Sequence, residues 1–217
     1  MSMAWMRMPG QTWPEAAASF LGMWVVMMAA MMLPSVAPML WRYRQAIGRT
    51  GEAPTGRLTA LVGAGYFFVW TVLGMAVYPL GVALAALEMR QPALARFVPV
   101  AAGAAILIAG AVQFTSWKAH HLACCREAPE CGRALPANTG AAWRCGLRLG
   151  LHCSYCCAGF TAVLLAAGVM DLRAMALVTA GITAERVAPA GARAAQAFGL
   201  FAMAAGFFLM ARAAGMV

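Results

Sequence analysis

Five long stretches of the chain contain no Asp, Glu, Lys or Arg: residues 16–41, 58–87, 97–117, 149–170 and 194–211. Each approaches or exceeds the ~20 apolar residues that cross a hydrocarbon layer of ~30 Å. A shorter run covers residues 174–184. Helices are the natural spanning form, because each backbone donor and acceptor is satisfied inside its own segment. Only 11% of the 217 residues are charged and 63% are hydrophobic, which leaves no room for a soluble domain. The expected fold is therefore all-α: one polytopic transmembrane helical bundle over residues 1–217. Spans are expected near 16–41, 58–87, 95–117, 146–170, 172–187 and 194–213, and five remain if the short fifth segment does not cross. The first apolar run starts late for a signal peptide, and "MMLPSVAPML" is a poor cleavage site, so it reads as a retained helix.

The formal charge of +9 does not imply a nucleic-acid partner, because the basic residues sit in short connections. They read instead as topology signals. Arg42, Arg44, Arg49 and Arg57 fall after the first span, and Lys118, Arg126, Arg133 and Arg144 after the third. Arg186 and Arg193 fall on the same side, against Arg7, Arg90, Arg96, Arg173 and Arg212 on the other. This asymmetry predicts a bacterial inner-membrane protein with a periplasmic N-terminus and a cytosolic loop at 118–144. Cytosolic thiols stay reduced, which weighs against a disulfide scaffold and toward metal binding.

That loop and the helix after it hold all 7 Cys and all 3 His of the chain. They read "HHLACCREAPEC" from His120 to Cys131, then Cys145, then "LHCSYCC" from Leu151 to Cys157. Thiolate and imidazole bind soft and borderline metals. On a helix, Cys145, His152 and Cys156 keep within about 40° of one stripe at ~100° per residue. His152–Cys156 and Cys153–Cys157 are i,i+4 pairs, close enough to share an ion. His120–Cys124 and His121–Cys125 repeat this spacing if the third helix runs on past Trp117. The set predicts a site for Cu(I), favoured by softness, or for Zn(II), which also accepts four Cys/His ligands. Packing of small apolar thiols is the competing explanation. Cys131 and Cys145 are the weakest members.

The first apolar run reads "MWVVMMAAMMLPSVAP", with Met27 and Met31 one turn apart and Met32 beside them. Thioethers are neutral, soft ligands that suit Cu(I), and they are also flexible core fillers. Pro34 and Pro38 are expected to kink or end this helix, with Ser35 taking up a freed carbonyl. Glu185 lies ~20 Å along a helix that starts at Leu172, at ~1.5 Å per residue. A carboxylate at such depth points to a role as ligand, counter-charge or proton carrier, or else to an ion pair with Arg186 or Arg148.

Taken together, these motifs resemble a bacterial family of predicted metal-binding integral membrane proteins, a domain of unknown function some of whose members are labelled copper chaperones. Met23-Trp24, Met27, Ala30-Met31-Met32, Pro34-Ser35 and Pro38 match its first motif. Lys118, His121-Leu122 and Cys125-Arg126 match its second, with His121 where the family has Cys. Gly150, Cys153 and Cys156-Cys157 match its third, with Ala158 where an aromatic often follows. Gly168 to Leu172 and Glu185-Arg186 complete a resemblance over residues 16–214.

The residues then predict a Cu(I)-binding membrane protein that delivers or transports copper, in partnership with a cuproenzyme or a copper-carrier protein. The predicted metal set is His121, Cys124, Cys125, His152, Cys153, Cys156, Cys157, Met27, Met31, Met32 and Glu185. Cys153–Cys156 is also a Cys-x-x-Cys pair, which keeps a thiol–disulfide or quinone-linked oxidoreductase open. Haem ligation through His120, His121 or His152, and a structural role in a larger membrane complex, are the remaining alternatives.

Overall fold

A computed structural model of the protein describes residues 5, 7, 10–48, 55–91, 96–127, 138–169 and 171–215. Among these residues there are seven helices and no strand. They are α1 Trp13–Gly48, α2 Thr55–Arg90, α3 Val98–Val112, α4 Ser116–Glu127, α5 Thr139–Ala167, α6 Leu172–Val187 and α7 Gly191–Ala213. The chain is helical as expected. Cys131 lies outside the described residues.

Four helices, α1, α2, α5 and α7, are long and apolar enough to cross a membrane. A fifth crossing is available if α3 and α4 count as one span bent by 66°. The six-span expectation falls short at α6, whose 16 residues reach only ~24 Å at ~1.5 Å per residue. The expected loop at 118–144 is also partly helical, because α4 covers its first part and α5 begins at Thr139.

The third helix does not run through Trp117. It stops at Val112, and Thr115 starts a new one: its Oγ1 accepts a bond from the Lys118 N–H at 3.3 Å, and its hydroxyl donates to the Val112 carbonyl at 2.7 Å. A threonine at this position satisfies an amide that the first turn would otherwise leave open. Asn138 caps α5 in the same way through Ala141 N–H (2.7 Å), and Asp171 caps α6 through Arg173 and Ala174. These caps fix where the ligand-bearing turns begin.

α2 packs along α5, and α3 along α7. Two glycine contacts set the first crossing. A Cβ on Gly146 would run into the Val62 carbonyl and come within 3.1 Å of Gly65 Cα, so the two backbones touch there. Small residues at a helix crossing allow close approach where no water drives burial. The outer surface carries large apolar side chains, among them Val26, Phe68, Leu84, Ile108, Leu200 and Phe207. Long apolar helices with such a surface are compatible with membrane insertion.

Candidate metal centre

About four to five turns into α5, Cys153, Cys156 and Cys157 lie toward the bundle interior, where each is at most 2% exposed. The Sγ atoms of Cys153 and Cys157 are 3.8 Å apart. Cys125 on α4 is equally buried and lies in the same core cluster as the three thiols of α5. Four thiols from two helices thus gather in one buried cluster.

Polar groups from three further helices close around them. Tyr66 of α2, fully buried, shares a 2.9 Å hydrogen bond with the Cys153 thiol. Arg186 of α6 donates to Cys125 Sγ at 3.3 Å and to Ser35 Oγ of α1 at 3.4 Å. Lys118 of α4 donates to the Cys156 carbonyl at 2.7 Å and pairs with Glu185 at 2.8 Å. Its ammonium also sits 4.9 Å from the centre of the Phe160 ring. The partner of Glu185 is therefore Lys118, neither Arg186 nor Arg148. Glu185 and Arg186 face different groups although they are adjacent in sequence.

Met27, Met28, Met31 and Met32 are all buried and belong to the same apolar cluster as the four thiols. Neither proline ends α1, which continues to Gly48. Ser35 donates to the Met32 carbonyl at 2.9 Å. That is not one of the carbonyls of Ala30 and Pro34 that the two prolines leave without an amide partner.

The histidines lie elsewhere. His121 Nδ1 is 3.3 Å from His152 Nδ1, and Trp117 and Tyr155 flank the pair. His120 Nε2 is 3.8 Å from Cys124 Sγ on the more exposed side of α4. His152 therefore joins His121, and the stripe it shares with Cys156 in sequence does not bring the two side chains to one point. The predicted set divides into a buried thiol–thioether group and an outer imidazole group. Cys145 is buried two turns before Cys153, ~12 Å along the helix at ~1.5 Å per residue.

Among the described residues no group of three or more His, Cys, Asp or Glu is disposed to hold a metal ion. The donor chemistry nevertheless suits a soft ion. Two thiolates on a tetrahedral ion with ~2.3 Å bonds stand ~3.8 Å apart, which is the separation of Cys153 and Cys157. Thioethers, the other soft donors of this core, lie in the same cluster.

Three residues around the thiols were not predicted for those positions from sequence. Tyr66 sits in a charge-free run with nothing to mark it. Lys118 and Arg186 read as topology charges, yet both are more than nine-tenths buried.

The sequence pattern of the PpoB2 family, described as a copper chaperone, matches residues 21–209. The chain belongs to that family. The match takes in the methionine helix, the four thiols and the Glu185-Arg186 pair, and it supports a general role in copper handling. No curated protein and no solved structure matches the chain.

Proposed function

We propose that this copper-chaperone family member is a bacterial inner-membrane protein that binds Cu(I) in its interior and hands it to an acceptor, such as a cuproenzyme under assembly or a copper-carrier protein. The observation that carries the reading is the convergence of Cys125, Cys153, Cys156 and Cys157 in the core that also buries Met27, Met31 and Met32. Soft thiolates and neutral thioethers together favour Cu(I) over harder ions. A Cu(I) ion held by two thiolates carries one negative charge, and the Arg186 guanidinium beside Cys125 offsets it. The Lys118–Glu185 pair is neutral by itself and fixes α4 against α6. Glu185 then serves the site through its partner and not as a ligand.

Arg42 and Arg44 of α1, Arg126 of α4 and Arg144 of α5 favour the cytosolic side for this end of the bundle. Thiols there are reduced, as ligation requires. His121 and His152 form an outer pair on α4 and α5, suited to a transient hold on the ion.

Elemental analysis of detergent-purified protein, prepared under reducing conditions, tests the reading. Wild type should carry near-stoichiometric copper, and the Cys153→Ser/Cys156→Ser/Cys157→Ser variant should carry none. Equal copper in both would sink it. Zinc in place of copper would keep the site and replace the cargo.

A further inference from the structure

Arg186 is more than nine-tenths buried and has no carboxylate partner among the described residues. Its Nε–H is buried without a hydrogen-bond partner, while its other nitrogens reach only a hydroxyl and a thiol. A buried cation without an anion is costly, so such a group points to a missing negative partner. A core holding Cu(I) between two thiolates would supply that one charge. A second feature beside it asks for more.

A cavity of about 110 Å³ opens between α1, α4 and α6. Ser35, Cys125 and Arg186, all buried, form its inner wall, and Arg126 and the exposed Arg42 stand nearer its mouth. Arg126 is held there by two backbone carbonyls, of Glu185 (3.0 Å) and Ala188 (2.7 Å). Carbonyls fix a guanidinium but do not cancel its charge. No Asp or Glu among the described residues lines the cavity. Three guanidinium groups thus surround a small chamber with one thiol on its inner wall. Guanidinium forks match carboxylate and phosphate geometry.

We infer that this cavity is a docking site for a small anionic thiol that carries Cu(I), and that Cys125 is the first protein atom to take the ion. The inference rests on the copper-binding reading above. The carrier's carboxylate engages the arginines while its copper–sulfur end faces Cys125. The step is a ligand exchange without redox change. One bond forms between copper and Cys125 Sγ, and one bond between copper and a carrier sulfur breaks. The displaced carrier thiolate leaves with its electron pair and takes the Cys125 proton. Copper stays Cu(I), and total charge is unchanged. Cys156, buried in the same cluster, receives the ion next.

The test compares two donors on the full-length purified protein: Cu(I) complexed by 3-mercaptopropionate, which is anionic, and by neutral 2-mercaptoethanol. Copper appearing in the protein is followed with time. Wild type should load faster from the anionic donor, by roughly tenfold at low ionic strength, with the preference eroded by salt. Arg42→Glu, at an exposed position, should remove the preference, leave the neutral-donor rate unchanged and reach the same final copper content. Equal rates from both donors in wild type would overturn the inference while leaving the copper site intact. So would Arg42→Glu slowing both donors alike. No copper taken from either donor would defeat the copper-binding reading itself and this inference with it. The three charges also suit an anionic lipid headgroup. If nanodiscs of phosphatidylglycerol abolish the anionic-donor preference that phosphatidylcholine nanodiscs retain, the cavity belongs to lipid and the carrier role fails.

Discussion

The ammonium of Lys118 lies 2.8 Å from the carboxylate of Glu185, and neither side chain is more than 3% exposed. The pair joins α4 to α6 directly beside the thiols, because Lys118 also donates to the Cys156 carbonyl. Each charge is tolerated in the interior only through the other. Losing one partner leaves an uncompensated charge, whereas losing both leaves only a packing defect.

Lys118→Met should therefore destabilise the protein by about 3–5 kcal/mol. Lys118→Met/Glu185→Leu should recover most of that loss. Thermal unfolding in detergent checks both variants. A single substitution that leaves the melting temperature unmoved would show that the pair does not hold the two helices.

Packing and ligation by the methionines separate under Leu substitution. Met27, Met31 and Met32 are each at most 6% exposed, so all three fill the core whatever else they do. Met→Leu conserves volume and usually costs less than ~1.5 kcal/mol. Under the proposed function, Met27→Leu/Met31→Leu/Met32→Leu should fold normally yet bind Cu(I) more weakly in a chelator competition. Unchanged affinity would assign the three residues to packing alone.

Much of this arrangement was legible in the sequence, and the reasons differ by residue. Charge-free runs disclosed the long helices, because burying unpaired charge is too costly to leave to chance. The Cys-x-x-Cys-Cys spacing put three thiols on one side of α5, since turns of 3.6 residues align them. Helical spacing could not show that His152 turns to His121, because that depends on how α4 lies against α5. The bend before α4 depends on three residues near Thr115, a signal that the charge-free run from 97 to 117 masked. Tyr66 was invisible for a different reason: its hydroxyl acquires meaning only from a thiol 87 positions away. Arg186 stood out in sequence only as a neighbour of Glu185, and its place beside Cys125 depends on how α6 packs against α4.

The α2–α5 crossing depends on Gly146. A methyl group there would meet the Val62 carbonyl and press toward Gly65, both of them backbone that cannot swing aside. Gly146→Ala should cost about 1–3 kcal/mol, the usual range for overpacking. Gly22 faces open space, and Gly22→Ala should instead stabilise by up to ~1 kcal/mol through helix propensity. Paired melting curves check the contrast. Similar responses at the two sites would mean that α2 and α5 do not approach this closely.

Tyr66 offers the sharpest test of whether Cys153 ligates. Tyr66→Phe removes the hydroxyl that lies 2.9 Å from Cys153 Sγ and keeps the ring that fills the core. The stability loss should be about 0.5–1.5 kcal/mol, the net worth of one hydrogen bond. A structural role alone predicts nothing more. If Cys153 binds copper, the hydroxyl donates to a ligating sulfur, and losing such an outer hydrogen bond costs about 10–100-fold in metal affinity. Tyr66→Phe should then keep its copper stoichiometry but yield the ion to a chelator more readily. In a Cys153→Ser background the same substitution should have little further effect on affinity, because its target is gone. Losses that simply add across the two positions would place the action of Tyr66 elsewhere than on Cys153.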